Sequence, residues 1–267
     1  MQMKTVNDVL KAIEAFAPCA LAQDSDAVGL LAGRGSAAVT RVLTALEVTG
    51  GVIDEAEEKG AQLIVTHHPV YFAPSRATGA SVESDLTLKL IENKIAAICM
   101  HTNLDAAPGG INHILARMAG LSDTQALSGG DRRFDADGTP LGLGRYGELG
   151  QARPFLQYAR EMKRVFGAPC VRVYDAKRSV LRVGVGSGSG GAVLRGAYEA
   201  GCDTFLTGEL KYSLWLEAAH YNLNVVELGH FETEDIACPL LMKIIKDALP
   251  DLEVLKSEGH KSVVGCL

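Results

Sequence analysis

Histidine and carboxylate side chains stand directly after three apolar runs of this sequence. The residues that share this position are His67, His68, His101, Asp105, His230 and Glu234. Imidazole nitrogens and carboxylate oxygens together suit zinc, iron, manganese, cobalt or nickel. Because each group follows a predicted buried strand, we interpret these side chains as ligands of divalent metal ions.

The adjacent pair His67 and His68 sets a condition on the backbone. Neighbouring side chains of a strand point to opposite faces, so both rings reach one cavity only if the strand ends and turns there. Pro69 is consistent with that end. The number of candidate ligands exceeds the four of a tetrahedral structural zinc site and favours two metals, with a carboxylate bridging them. One metal, with the surplus histidines only supporting its ligands, is the alternative.

Other residues that could do chemistry give weaker signals. His113 lies inside a predicted helix, His220 lies at a helix end, and His260 has no evident role. The stretch GSGSGG at 186–191 precedes a helix and could bind an anion through its N–H groups. No Gly-Lys-Ser/Thr follows it, so we predict a plain tight turn. The six cysteines form no C-x-x-C pair and are predicted to be buried reduced thiols.

Alternating helices and strands position the candidate ligands. The apolar spacing predicts helices over 5–16, 52–59, 86–93, 110–119 and 153–166, and strands over 38–46, 62–66, 95–100, 171–174 and 180–184. The segment 121–150 is rich in Gly, Asp and Ser, and we expect an irregular connection or short strands there. This order is typical of an α/β fold with a mostly parallel sheet, whose ligands bind at the carboxyl ends of the strands.

The strand–helix pattern occurs twice. Setting Gly60 against Gly201 places His68 on Glu209, each just past a buried strand. In both halves a second buried strand is followed by a histidine and, four residues later, a carboxylate. We infer an internal duplication. The predicted domains are 1–125 plus 231–267 and 126–230, two similar α/β domains.

Composition excludes several classes of protein. The net charge is −6 and no basic stripe occurs, so a nucleic-acid partner is not expected. The first ten residues are too polar for a signal peptide, and no apolar run approaches the ~20 residues of a membrane span. A chain of 267 residues can bury a core without metal staples, so a metal would serve chemistry or local order. We predict a soluble cytoplasmic protein with a small-molecule substrate.

Five motifs extend over nearly the whole chain. They are VTHHPVYF from Val65, HTNLDA from His101, VGSGSG from Val185, LTGEL from Leu206 and GHFETE from Gly229. In order and spacing they resemble the GTP cyclohydrolase 1 type 2 homologue family, also called the NIF-three-like dinuclear metal-binding proteins. The resemblance implies two similar α/β domains with a two-metal site between them, and a ring-shaped homohexamer.

The resemblance also assigns roles to residues. It implies that the metal ligands are His67, His68, Asp105, His230 and Glu234. His101 and Glu209 are then candidates for a supporting, proton-carrying position. One departure concerns the Trp-Asp-Asn that the family often has before Gly-Leu. Here 24–30 reads DSDAVGL, so Asp26 keeps the acidic position while the aromatic residue is absent.

Two function classes follow. The first is a metal-dependent hydrolase, in which water activated by two divalent metals opens or cleaves a purine nucleotide, a phosphoester or a related small molecule. The surplus of acid–base groups favours it. The alternative is a non-catalytic metal-binding or scaffold protein, which the absence of a clear substrate-specificity motif favours.

Overall fold

The computed structural model describes residues 3–72, 77–129, 133–134, 138 and 140–267. Within these ranges the strands are β1 (Lys4–Thr5), β2 (Gly29–Ala32), β3 (Ala38–Val39), β4 (Arg41–Ala45), β5 (Leu63–Thr66), β6 (Ala96–Cys99), β7 (Ser122–Ala126), β8 (Arg133–Phe134), β9 (Pro140–Leu141), β10 (Arg145–Arg153), β11 (Arg172–Tyr174), β12 (Val180–Gly186), β13 (Thr204–Thr207), β14 (Asn224–Glu227) and β15 (Glu253–Lys256).

The helices lie between these strands. They are α1 (Val6–Glu14), α2 (Gly50–Glu58), α3 (Val82–Glu92), α4 (Thr102–Ala106), α5 (Ile111–Met118), α6 (Phe155–Val165), α7 (Leu194–Glu199), α8 (Tyr212–His220), α9 (His230–Glu234) and α10 (Ala237–Ala248). Within the described ranges, none of them is both long and apolar enough to cross a bilayer.

The chain divides into two compact units. Unit 1 comprises Met1–Ala107 and Ala237–Lys261, and unit 2 comprises Pro108–Ile236 and Ser262–Leu267. The boundaries predicted from the sequence are 125/126 and 230/231. In both descriptions the first unit is built from two separate stretches of chain.

Unit 1 is built around a five-stranded sheet of order β15-β4-β5-β6-β2. The first four strands are parallel, and β2 runs antiparallel to β6 at the edge. Leu43, Ile64 and Ala97 pack in one cluster with apolar residues of α2 and α3. Val42 and Ile98, which alternate with them along the strands, are also buried. Helices therefore cover both faces, as the near-continuous apolar strands require.

Helix α1 begins where the sequence predicts. The Thr5 hydroxyl accepts from the amide of Asp8, and the Asp8 carboxylate accepts from the amide of Thr5, which makes a capping box. Val6, Val9 and Ile13 form its buried stripe. Helix α10 packs against α1 and against β4, β5 and β15. The segment that follows unit 2 in the chain thereby belongs to the core of unit 1.

Unit 2 contains a six-stranded sheet of order β11-β14-β13-β12-β10-β7. Strands β12, β13 and β14 are parallel, and the other three strands run antiparallel to their neighbours. Leu206 and Val226 pack with α5 and α6 on one side. Phe205 and Val225, one residue earlier in the same strands, pack with α7 and α8. The period of two places a separate apolar core on each face of the sheet.

The two units share an arrangement of four strands, β4-β5-β6-β2 in unit 1 and β12-β13-β14-β11 in unit 2. Strands β5 and β13 each have four buried residues and begin three residues after Gly60 and Gly201, the glycines that align the two halves. Each is the middle strand of a parallel trio, and each trio has an antiparallel strand beside its third member. The predicted α/β class with two similar domains is confirmed.

The structure refines one local expectation and corrects another. The segment 121–150 contains the short strands β7, β8 and β9, one of the two predicted alternatives, and most of β10, which is longer than expected at nine residues. Gly147 lies within β10, and glycine is needed there because a Cβ would lie 2.7 Å from the carbonyl oxygen of Ser122 on β7. Positions 130–132, 135–137 and 139 lie outside the described residues.

The expectation that all cysteines are buried thiols is wrong, because exposed Cys170 and Cys266 form a disulfide within unit 2. Their separation by 96 residues hides this pairing from spacing arguments.

Candidate metal centre

The predicted ligands and supporting residues divide between the units. Unit 1 carries His67, His68, His101 and Asp105, and unit 2 carries Glu209, His230 and Glu234. All seven lie at or just past the carboxyl end of a parallel strand, where open α/β sheets bind their ligands. Each group is described below within its own unit. A two-metal site that joins them stays a prediction.

The pair His67–His68 sits on a backbone turn. Strand β5 ends at Thr66, and the amides of His67 and His68 both donate to the carbonyl oxygen of Leu46, at 3.1 and 2.7 Å. The Thr66 hydroxyl donates to the carbonyl of His68 at 2.7 Å, which tightens the turn. The strand geometry is thus broken at the point that the sequence requires, and the ring centroids of the pair lie 5.2 Å apart.

His101 joins this pair from the neighbouring strand. It follows β6 and is the N-cap residue of α4. Its ring centroid is 5.1 Å from that of His67 and 5.8 Å from that of His68. One ring nitrogen from each of the three histidines lies within 4.8 Å of the other two. The structure therefore groups His101 with the two histidines that were predicted as ligands.

Each of the three rings is held at Nδ1 by a different acceptor. The His67 ring donates to the carbonyl oxygen of Met100 at 2.8 Å, and a carbonyl only accepts, so Nδ1 carries the hydrogen. The His68 Nδ1 lies 3.2 Å from a carboxylate oxygen of Glu47, and the His101 Nδ1 lies 2.8 Å from Asp26. Metal-binding histidines are oriented in this way, with Nε2 as the ligand atom. The donor set fits a divalent cation.

The Asp26 carboxylate is held in place by the His101 ring and by Thr102, its hydrogen-bond partners. Burial raises the pKa of its carboxyl group, but hydrogen bonds from the ring of His101 and from the hydroxyl and amide of Thr102 outweigh it and lower the pKa to about 2. Its side chain is 6% exposed. The acid that stands where the family has Trp-Asp-Asn therefore orients His101 and the first turn of α4.

Asp105 adds a carboxylate to the unit 1 group. It lies on α4 and is 8% exposed, and its Oδ2 is 3.8 Å from Nε2 of fully buried His67. Helix α4 is anchored by Asn103, whose amide nitrogen donates to the carbonyl oxygen of Ala17 at 2.9 Å. The HTNLD motif thus supplies a ring, an anchor and a carboxylate from five consecutive residues.

The unit 2 group lies on the short helix α9. His230 and Glu234 are one turn apart and so share a helix face, and Nε2 of His230 is 2.8 Å from Oε2 of Glu234. Glu234 is 5% exposed. The predicted supporting residue Glu209 approaches the other ring nitrogen, with Oε1 3.3 Å from Nδ1 of His230.

The glycine-rich stretch 186–191 supports this pair. Gly188 has φ +48°, and a Cβ there would lie 2.0 Å from Oε1 of Glu234 and 2.8 Å from Nε2 of His230. Its amide donates to the hydroxyl of Thr233 at 3.1 Å, and its carbonyl accepts from the amide of Glu209 at 2.8 Å. The stretch is the tight turn that we predicted, and its glycine is required because the loop packs directly on the side chains of α9.

The remaining histidines differ in position. His113 lies in α5 and His220 ends α8, as predicted. His260 is 8% exposed, and its Nδ1 accepts from the amide of Leu46 at 3.3 Å. Sequence reasoning missed Glu47 and assigned no role to His260. Glu47 follows the carboxyl end of β4. The criterion that selected the histidines, a position just past a buried strand, could therefore have identified it.

Fold and site together define an α/β protein with a candidate divalent-metal centre at the carboxyl ends of its parallel strands. The family model Duf34/NIF3 (NGG1p interacting factor 3) matches residues 4–262, and the chain belongs to that family. The family resemblance inferred from the five motifs is confirmed.

Similar proteins cover most or all of the chain. The GTP cyclohydrolase 1 type 2 homolog of Clostridium acetobutylicum is 32% identical over 246 residues, which are 91% of this chain and 90% of that protein. The protein of the same name from Streptomyces coelicolor is 33% identical over 243 residues, with 89% and 84% covered. The crystal structure of a Bacillus cereus protein related to NIF3 superimposes with a TM-score of 0.89 over 100% of both chains, at 22% identity, and so supports the fold.

Proposed function

We propose that this protein binds two divalent metal ions and hydrolyses a purine nucleotide or a related small molecule. The proposed ligands are His67, His68, Asp105, His230 and Glu234. The observation that carries the proposal is the anchoring of the two adjacent ligand imidazoles, His67 and His68, at Nδ1. Rings held in this way are ready to coordinate through Nε2 without further ordering.

Different residues of the chain have different proposed roles in such a reaction. A bound divalent cation supplies Lewis acidity, which lowers the pKa of coordinated water toward neutrality. The complete burial of His67 excludes bulk solvent from that side of the group. Asp26 keeps the His101 ring oriented, and His101 is a candidate carrier of the proton that water releases. Glu209, whose side chain is 53% exposed, is the corresponding candidate in unit 2.

The substrate class rests on the relatives. Both curated relatives described above carry the name GTP cyclohydrolase 1 type 2 homolog. Opening of a purine ring is a hydrolysis, in which water adds to a ring carbon and a carbon–nitrogen bond breaks. That chemistry needs an activated water and a proton donor for the leaving nitrogen. A bound cation would supply the first, and His101 and Glu209 are the candidates for the second.

The test combines metal content with turnover. Elemental analysis of the purified protein is expected to give two divalent metals per chain, and the loaded protein is expected to consume GTP or another purine nucleotide. His67→Ala removes a buried ligand and should abolish turnover, whereas His220→Ala at the end of α8 should keep it. Undiminished turnover by His67→Ala would refute the catalytic proposal. Stoichiometric metal without turnover on a broad nucleotide panel would favour a non-catalytic metal-binding protein.

We also propose that the chain assembles into a homohexamer, which the family resemblance supports. Sedimentation velocity is expected to give a species of six chains. A single species with the mass of one chain would refute this assembly.

A further inference from the structure

Leu46 connects two parts of unit 1 through its backbone. Its carbonyl oxygen accepts from the amides of His67 and His68, as described above. Its own amide donates to Nδ1 of His260 at 3.3 Å. Leu46 is 2% exposed, so water does not substitute for these partners. The orientation of this one residue therefore sets the turn on which the histidine pair stands.

The segment that delivers His260 is itself fixed. Strand β15 pairs with β4 up to Lys256, and the amide of Ser257 donates to the carbonyl of Thr44 at 2.9 Å. The Glu55 carboxylate of α2 then accepts from the Ser257 hydroxyl and from the amides of Glu258 and Gly259, the latter two at 2.9 Å each. These bonds hold the chain beside the end of β4, where the ring of His260 is buried.

We infer that His260 is a positioning residue for the metal centre, acting through the backbone of Leu46 on the His67–His68 turn. The expected effect on metal affinity rests on the proposed metal-binding function. The contacts between His260, Leu46 and the histidine turn are present without a metal. Because Nδ1 accepts a hydrogen bond, the ring hydrogen is carried by Nε2. Loss of the acceptor leaves a buried amide without its bond and frees the end of β4 to move.

The chemistry of the acceptor provides a discriminating pair of variants. In asparagine the side-chain oxygen stands the same number of bonds from Cα as Nδ1 does in histidine, so His260→Asn keeps an acceptor for the Leu46 amide. His260→Leu fills much of the same space but offers none. A merely space-filling role would favour leucine, whereas a positioning role through the hydrogen bond favours asparagine.

The experiment measures zinc affinity by competition with a chromophoric chelator, and hydrogen exchange of the His67 and His68 amides in metal-free protein. His260→Leu should weaken zinc binding about tenfold, the lower range for residues that orient ligands, and should accelerate exchange of both amides by a similar factor. His260→Asn should stay within about twofold of wild type in both measurements. Val254→Ala, which removes buried methyl groups from β15 at the position paired with Val42, is the control for general destabilisation.

Three results would overturn the inference. They are wild-type affinity and exchange in folded His260→Leu, equal losses in Val254→Ala, or a failure of His260→Asn to restore either property. The proposed metal function fails separately. If wild-type protein does not bind zinc at all, the exchange of the two amides in metal-free protein still decides whether His260 positions them.

Discussion

Replacing Glu55 by glutamine should destabilise unit 1 by removing the charge that holds the segment before His260. The carboxylate lies on α2 with its side chain 11% exposed. Its partners are the ammonium group of Lys59 at 2.8 Å, the Ser257 hydroxyl and two backbone amides. A glutamine has one acceptor oxygen instead of two and no charge, so it can keep only part of these bonds.

The pKa of Glu55 gives the magnitude. Burial raises it, but the hydrogen bonds from Lys59 and Ser257 and from the amides of Glu258 and Gly259 lower it from 4.5 to about 2. The difference between these two pKa values corresponds to about 3 kcal/mol of preference for the charged form. Because glutamine retains some bonds, we expect a loss of about 2 kcal/mol in the free energy of unfolding at pH 7.

The direction of the pKa shift determines how the contribution of Glu55 to the free energy of unfolding changes with pH. The folded-state pKa lies below the unfolded value, so the contribution of Glu55 is fully present above pH ~4.5 and is lost as the pH falls through about 2. Urea unfolding of metal-free wild type and Glu55→Gln should therefore differ by about 2 kcal/mol at pH 7 and converge as the pH drops toward 2. Glu57→Gln, an exposed acid on the same helix, is the control and should change stability by less than about 0.5 kcal/mol. A constant difference between the two proteins across this pH range would refute the reasoning, because the charge would then not be the stabilising element.

Two further substitutions test the candidate centre. Asp26→Asn should lower zinc affinity about 10- to 100-fold in a chelator competition, because His101 loses its charged acceptor. Asp24→Asn, at an exposed position, is the control and should leave the affinity unchanged. Equal affinities of the two variants would contradict the role of Asp26. Gly188→Ala should lower the free energy of unfolding by about 1–2 kcal/mol, because its φ of +48° disfavours a side chain, and should weaken zinc binding by displacing the carboxylate of α9. Gly150→Ala, which meets nothing within 4 Å, is its control, and a Gly188→Ala protein as stable as that control would contradict the packing argument.

Much of the fold follows from local patterns in the sequence. The spacing of Val6, Val9 and Ile13 predicts α1, which the capping box of Thr5 and Asp8 starts. The alignment of Gly60 with Gly201 predicts β5 and β13 with the same register relative to these glycines. These predictions succeed because a helix stripe, a cap and a buried run are each decided by neighbours within a few residues.

The features that were missed depend on distant partners. Strand β15 has four residues, two of them only partly buried, and exists because it pairs with β4 more than 200 residues away. The residues that anchor the candidate ligand rings are likewise distant from them in the sequence. Asp26 lies 75 positions from His101, and Glu47 lies 21 positions from His68. Local spacing carries no information on which acceptor a ring nitrogen will meet after the chain has folded.

The composition of unit 1 from two stretches of chain has a consequence for synthesis. Met1–Ala107 leaves the ribosome first, but α10 and β15 follow only after Pro108–Ile236 has been made. During translation, the early part of unit 1 therefore waits with the outer edge of β4 unpaired and without the ring that holds Leu46, while the main stretch of unit 2 already has its complete sheet. Nascent chains generally fold in the order in which their domains emerge. Here unit 1 is completed last, so the histidine turn matures late, and until then the edge of β4 that β15 will cover is open to pairing with another chain.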